Sequence, residues 1–364
     1  MGLDLTTSPS ERTAGSKYSG PIIDTDVHEA FTSLDDLVPY LEEPWRGLIV
    51  RRAWKGMGDP FAFWASHGVD RGDIHLPDGV PAGSSYERFK ELVLDLYPIR
   101  YAILTSFFWP GLMKMQFEFA TALTTAYNNW VIEHWLERDS RLLTSIHVAP
   151  QDPHAAAREI DRLGDHPRVV QILLPLGQWA YGEPFYRPIF EAAARHNLVI
   201  GMHHSTAVTS ALGQGRYYIE WHVNVPQTAM ATLTSLVCNG VFDTFPSLRF
   251  AILESGFSWL PHLLWRFDQN YRSLHQEIPW VKRLPSEYIR ERVKFSTQPT
   301  EDFSVENWLR LIDMLETDRM LIFATDYPHW DFDSPDASIP HRLPANLKQR
   351  IFYENARELY GLDQ

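Results

Sequence analysis

Cysteine is almost missing from this chain: its 364 residues include one, Cys238. A lone cysteine excludes an internal disulfide framework and a thiolate cluster for zinc or iron–sulfur, and apolar neighbours mark it as a small buried hydrophobe. Long hydrophobic runs are missing too. None approaches the ~20 residues needed to span a bilayer. Residues 1–19 lack the apolar stretch of a secretory signal and read as a floppy leader. Basic residues are outnumbered, giving a formal net charge of −13 spread along the chain, which argues against nucleic-acid or anionic-membrane partners. No glycine-rich phosphate turn follows any apolar segment, and no internal repeat is evident. The expectation is a soluble, cytoplasmic protein.

Hydrophobic residues make up 45 % of the chain and aromatics 13 %, enough for a large core. Short apolar, β-branched runs recur at 21–26, 99–106, 142–148, 169–174, 198–203, 248–254, 293–296 and 320–326. Several are apolar on both faces, as parallel strands covered by helices are. Helical patterns separate them, at 117–137, 152–164, 186–197, 227–242, 258–274, 304–316 and 344–362. Alternation of this kind predicts an α/β (β/α)8 TIM barrel as a single domain over 20–364. A doubly wound open sheet is the alternative. Residues 39–98, rich in Gly, Pro, Trp and charge, are too long for an ordinary βα loop and read as an insertion after strand 1 that caps the catalytic end.

In such a barrel the C-terminal strand ends converge on one site. The first run ends Asp24-Thr25-Asp26-Val27-His28-Glu29, and Asp26 and His28, two apart, face the same side of an extended chain. The fifth ends His203-His204, the sixth Glu254-Ser255-Gly256, the eighth Thr325-Asp326 followed by Tyr327-Pro328-His329. One strand-end Asp or His is usually a cap or turn former. Four strand ends offering carboxylate or imidazole together suit a divalent metal such as Zn, Mn or Fe. Regular alternation would point His204 away from His203, and His222, in "YYIEWHVN", reads as a loop residue or a further donor.

The segments "IIDTDVHE", "GVFDTFPSLRFAILESG" and "FATDYPH", together with His203, resemble the amidohydrolase-related family, in the branch of aminocarboxymuconate-semialdehyde and resorcylate decarboxylases. The likeness runs from Ile22 to Leu362. It implies that Asp26, His28, His203 and Asp326 bind one divalent metal, with Asp326 as ligand or as base for metal-bound water. Two positions depart from the pattern: Glu254 replaces the usual strand-six histidine, and the first-strand pair is Asp-x-His. The fourth strand offers Gln171 and no lysine, so a carboxylated-lysine bridge is not available.

Asp26, Glu254 and Asp326 bring up to three negative charges against two on one cation, and an uncompensated buried carboxylate is costly. Either Glu254 is protonated or a second metal sits beside it, with His204, His222 and His329 as spare donors. That mixture resembles carboxylate-bridged di-iron or iron–manganese centres. The leading expectation is therefore a non-haem monooxygenase with two Fe/Mn ions held by Asp26, His28, His203, Glu254, Asp326 and His329, hydroxylating a small amine, amino acid or natural product. The alternatives are a mononuclear, zinc-type hydrolase or non-oxidative decarboxylase, and a non-catalytic subunit of a complex. Phe107, Phe108, Trp109, Trp179 and Tyr181 are candidate pocket walls for a small-molecule substrate. Exposed aromatics also mark interfaces, and family members form dimers, so a homodimer or a hetero-oligomer with a related barrel subunit is expected. Arg51 and Arg52 read as solvated charge more readily than as a substrate-carboxylate clamp.

Overall fold

The computed structural model describes residues 17–54, 56, 70–71, 73–74, 80–106, 112, 115–177, 179–204, 216–302 and 304–363. Eight strands follow one another in both sequence and space: β1 Ile22–Val27, β2 Ile99–Leu104, β3 Leu142–His147, β4 Val169–Leu176, β5 Val199–His204, β6 Phe250–Leu253, β7 Val293–Ser296 and β8 Leu321–Ile322. Each pairs with the next in parallel. The long helices that follow strands 2 to 7 are α1 Phe117–His134, α2 Pro153–Leu163, α3 Arg187–Arg195, α4 Tyr218–Cys238, α5 Leu260–Leu274, α6 Pro285–Arg292 and α7 Val305–Leu315. A last helical stretch ends in α8, Asn355–Tyr360. This is the (β/α)8 barrel that the alternating runs predict.

The strands are buried throughout on β1, β3, β4 and β5, because barrel interior and helix layer each cover one face. Inside the barrel, polar side chains satisfy one another. Gln171 Nε2 donates to Ser145 Oγ at 2.8 Å, and the Tyr360 hydroxyl donates to Gln171 Oε1 at 3.0 Å.

Closure between β8 and β1 is irregular. The run expected over 320–326 keeps regular pairing only at Leu321–Ile322, since the Phe323 amide turns to the Ile351 carbonyl at 3.0 Å. Three backbone bonds stitch the seam instead: Thr25 N to Phe323 O at 3.1 Å, Asp326 N to Asp26 O at 3.1 Å and His28 N to Tyr327 O at 2.7 Å. Asp24 reinforces it, accepting from the Thr325 amide at 2.9 Å and the Thr325 hydroxyl at 2.6 Å.

α4 also departs from expectation. It begins at Tyr218, not at 227, because Glu220 Oε2 accepts the amides of Arg216 and Tyr217 at 2.6 and 2.8 Å and so starts the helix ahead of Pro226. His222 therefore lies on a helix and not in a loop. Part of the 39–98 segment falls outside the described residues, but its middle meets the loop after β8. Asp70 bridges His329, and Arg71 N donates to Pro328 O at 2.8 Å. Gly83 lies against the end of β1, where a Cβ would stand 2.2 Å from the His28 carbonyl oxygen, so no other residue fits without a backbone shift.

Candidate metal centre

Five side chains from four strand ends meet at the C-terminal mouth. Asp26, His28, His203, Glu254 and Asp326 each place one donor atom within 4.8 Å of the others, and all five are buried. Two of the carriers, Glu254 and Asp326, have φ of +43° and +59°. Left-handed backbone at residues other than glycine costs on the order of 1–3 kcal/mol each and clusters at functional sites. Here it turns the two carboxylates out of strand geometry and toward the barrel axis.

Backbone carbonyls set the histidine tautomers. His28 Nδ1 is 2.7 Å from Ser106 O and His203 Nδ1 is 2.7 Å from His204 O, so each ring donates from Nδ1 and presents Nε2 to the cluster. That orientation of an imidazole by its other nitrogen is characteristic of metal ligands. His28 Nε2 lies 2.9 Å from Asp326 Oδ1 and 3.5 Å from Asp26 Oδ1. His203 Nε2 lies 2.8 Å from Glu254 Oε2 and 3.4 Å from Asp26 Oδ2. Asp26 Oδ2 and Glu254 Oε2 are fully buried and both face His203 Nε2. Two imidazole nitrogens and three carboxylates facing inward in this way fit a divalent cation.

The charges strain against one another. Burial alone would lift Asp26, but His203 and His28 hold it below the usual carboxylate range. Burial would also lift Glu254, which His204 and His203 keep well below that range. Asp326 goes the other way, raised well above it by burial and by Glu254, Asp331 and Asp26. Burial would depress His203, yet Asp26 and Glu254 take it up to about 10. His28 is pushed down by burial. Without a cation the cluster therefore favours the protonated form of His203 and raises the proton affinity of Asp326.

The other sequence-derived candidates divide. His329 stacks on His28 with ring centroids 4.4 Å apart and places Nδ1 2.7 Å from Asp326 Oδ1, so it touches Asp326 and stands outside the five. His204 does not turn away from His203: its Nε2 is 2.6 Å from Glu254 Oε1, although β5 stays paired with β4 through His204. His222 faces Asp331, with Nε2 3.3 Å from Oδ2. Tyr181 is fully buried, its hydroxyl donating to Pro175 O at 2.9 Å, and packs the loop after β4 from within. Trp179 is half-buried against it. Phe107, Phe108 and Trp109 lie outside the described residues. Arg51 and Arg52 are exposed, and Arg52 pairs with Asp35 at 2.8 Å.

Four residues went unread in the sequence. Gln298, just past β7, donates from Nε2 to Asp326 Oδ2 at 3.0 Å. Thr105 donates to Asp26 Oδ1 at 2.5 Å. Glu29 accepts from Tyr127 Oη and from Ser106 N, and burial pushes it up to about 8. His147, at the end of β3, is buried beside His28 and His203 and driven down to about 3, chiefly by desolvation. Three of the four stand at or next to strand ends, which is the one signal that could have found them; Glu29 also closes the "IIDTDVHE" motif.

The amidohydrolase family model matches residues 104–362, the region holding His203, Glu254 and Asp326. The chain belongs to the amidohydrolase family. Among solved structures similar to it is an amidohydrolase from Mycobacterium avium subsp. paratuberculosis, 18 % identical, covering 94 % of this chain and 99 % of that one, with a TM-score of 0.72. Another is 2,6-dihydroxybenzoate decarboxylase from Rhizobium, 18 % identical over 94 % and 99 %, with a TM-score of 0.68. A third is 5-carboxyvanillate decarboxylase from Novosphingobium aromaticivorans with bound manganese and a nitrobenzoic acid, 20 % identical over 94 % and 97 %, with a TM-score of 0.67. At such identities the likeness establishes the shared barrel. As in the rest of this amidohydrolase's site, no lysine stands on β4, where Gln171 is tied to Ser145 and Tyr360. Among the described residues no helix is long and apolar enough to cross a membrane.

Proposed function

We propose that this amidohydrolase is a divalent-metal-dependent, non-oxidative decarboxylase of a small aromatic carboxylate, with manganese as the metal to load first. The observation that carries the reading is the buried five-donor cluster with its carbonyl-fixed histidine tautomers. The manganese-containing decarboxylase of the same fold supports it, and favours it over the dioxygen chemistry that the donor mixture alone suggests.

Asp26, His28, His203 and Glu254 would hold the cation, which supplies a Lewis acid for the substrate's carboxylate and an adjacent ring oxygen. Asp326 would act as the proton donor. Burial raises its proton affinity, with Glu254, Asp331 and Asp26 adding to it, and Gln298 and His329 contact its two oxygens. Proton transfer to the ring carbon bearing the carboxylate is followed by heterolysis of the ring–carboxylate bond. Carbon dioxide leaves, and the bonding pair returns to the ring. The insertion at 39–98, which crosses the β8 loop at Asp70 and Arg71, would cap the site and exclude water during this step.

The test is to strip the protein with chelator, load it with Mn(II), and follow carbon dioxide release from a panel of hydroxybenzoates that includes 2,6-dihydroxybenzoate and 5-carboxyvanillate. Metal-dependent release that disappears in Asp326→Asn is expected. Oxygen consumption with a hydroxylated product, and no carbon dioxide, would restore the oxygenase reading.

A further inference from the structure

Beside the five-donor cluster stands a second group that shares one of its members. His222 on α4, Asp331 in the loop after β8 and Glu254 at the end of β6 each offer a ligand atom, the three within 4.8 Å of one another. Ligands about 2.2 Å from one ion stand no more than about 4.4 Å apart, so small side-chain rotations suffice to close them on a cation. Asp331 Oδ2 is buried and makes no hydrogen bond among the described residues, although His222 Nε2 is only 3.3 Å away. His204 contributes a further nitrogen, its Nε2 at 2.6 Å from Glu254 Oε1, while its Nδ1 makes no hydrogen bond among the described residues.

Glu254 thus looks two ways. Its Oε2 faces His203 and the first cluster, and its Oε1 faces His204 and the second. That is the arrangement of a bridging carboxylate. A cavity of about 330 Å³ reaches two of these donors, His222 and Glu254, with Val225, Pro226 and Pro299 also in its lining. It leaves room for an ion with some of its waters.

Charge counting agrees with the geometry. Asp26, Glu254, Asp326 and Asp331 gather four carboxylates, and among the described residues the side-chain ion pairs they make are all with histidines. With Asp326 as the protonated acid of the proposed function three charges remain, and one divalent cation offsets two of them. Buried carboxylates left over are costly unless protonated or paired.

We infer that this chain holds a second divalent cation at His222, Glu254 and Asp331, next to His204, with Glu254 bridging it to the cation at the first cluster. The inference rests on the metal-dependent reading above for that first cation.

The experiment is equilibrium dialysis of the chelator-stripped, full-length protein against Mn(II), with bound metal counted by mass spectrometry and electron paramagnetic resonance on the same samples. Two equivalents per chain and an exchange-coupled spectrum are expected. Asp331→Asn and His222→Gln should each fall to one equivalent with an isolated-ion spectrum, while circular dichroism shows the fold unchanged. Both positions lie at the rim, on a helix face and a loop, so loss of the fold is readily told apart from loss of a ligand. One equivalent at saturation in the parent overturns the second site and leaves the proposed function standing, as does retention of two equivalents by both variants. No bound manganese at all sinks the proposed function as well.

Discussion

Cation binding at the first cluster must expel a proton, and the size of that effect follows from the geometry. His203 is held at about 10 by Asp26 and Glu254 against the pull of burial. At pH 7 its ring is an imidazolium, and Nε2, the atom 2.8 Å from Glu254, is occupied by hydrogen. Three pH units at about 1.36 kcal/mol each amount to about 4 kcal/mol of competition, or about 1000-fold in affinity, at neutral pH. The sign follows: affinity for Mn(II) rises with pH, about tenfold per unit, until His203 loses its proton unaided. Isothermal titration at pH 6.5, 7.5 and 8.5, each in two buffers of different ionisation enthalpy, reads both the slope and the number of protons released. One proton is expected, from His203. A second would mean that Asp326 surrenders its proton to become a ligand, and Asp326→Asn would then return the count to one. An affinity flat across this range, with no proton released, would refute the assignment of His203 as a ligand.

Other perturbations have equally definite outcomes. Lys294 on β7 is 7 % exposed, and burial takes it from 10.5 to about 8. The folded state pays fully for its charge below about pH 8, and the penalty fades as pH rises toward 10.5, so Lys294→Met should stabilise at pH 7 by on the order of 3 kcal/mol, with a Tm gap that shrinks above pH 8; a gap independent of pH would contradict this. Asp24→Ala strands the buried amide and hydroxyl of Thr325 and should cost about 2–5 kcal/mol in urea unfolding, more than Asp24→Asn; parental stability would show that the seam does not depend on Asp24. Gln298→Leu removes the amide that holds Asp326. It should weaken manganese binding or slow carbon dioxide release by about 10–100-fold without a large stability change, and unaltered values in both would remove Gln298 from the site.

Much of the barrel was legible because its strands are buried on both faces and its helices begin and end on ordinary signals. "DPHAAAREIDRLG" shows this: Asp152 caps the amide of Ala155 at 3.0 Å, Pro153 opens the first turn, and Gly164 follows the last. α6 was missed because Pro285–Arg292 is short and mostly polar, too weak in apolar periodicity to stand out. α4 was cut short because Pro226 reads as a boundary, whereas the deciding interaction was made by Glu220 six residues upstream. β8 was drawn too long for the opposite reason. Met320–Ala324 is continuously apolar, but the Phe323 amide donates to the C-terminal helical stretch and only its carbonyl meets β1.

The site was legible to the extent that it obeys strand geometry. Asp26 and His28 fall on one side because they are two apart, and the ligand role expected of them needs only that. Asp24 has the same parity, yet it serves the seam, since its oxygens meet Thr325 before they could reach the cluster. At the last residues of the strands and beyond them, parity fails. His203 and His204 are neighbours and both reach Glu254, and Glu254 and Asp326 enter through left-handed backbone that no apolar pattern announces. What sequence spacing cannot carry is the direction in which each carboxylate faces, and that direction decides the chemistry. Glu254, against His203 and His204, is held well below the usual carboxylate range, whereas Asp326 is raised well above it, by burial first and then by Glu254, Asp331 and Asp26, although His28 and His329 both meet its Oδ1. On the proposed reading the same side-chain type would supply a ligand at one strand end and an acid at another, a division set by the turns that follow β6 and β8 rather than by the residues themselves.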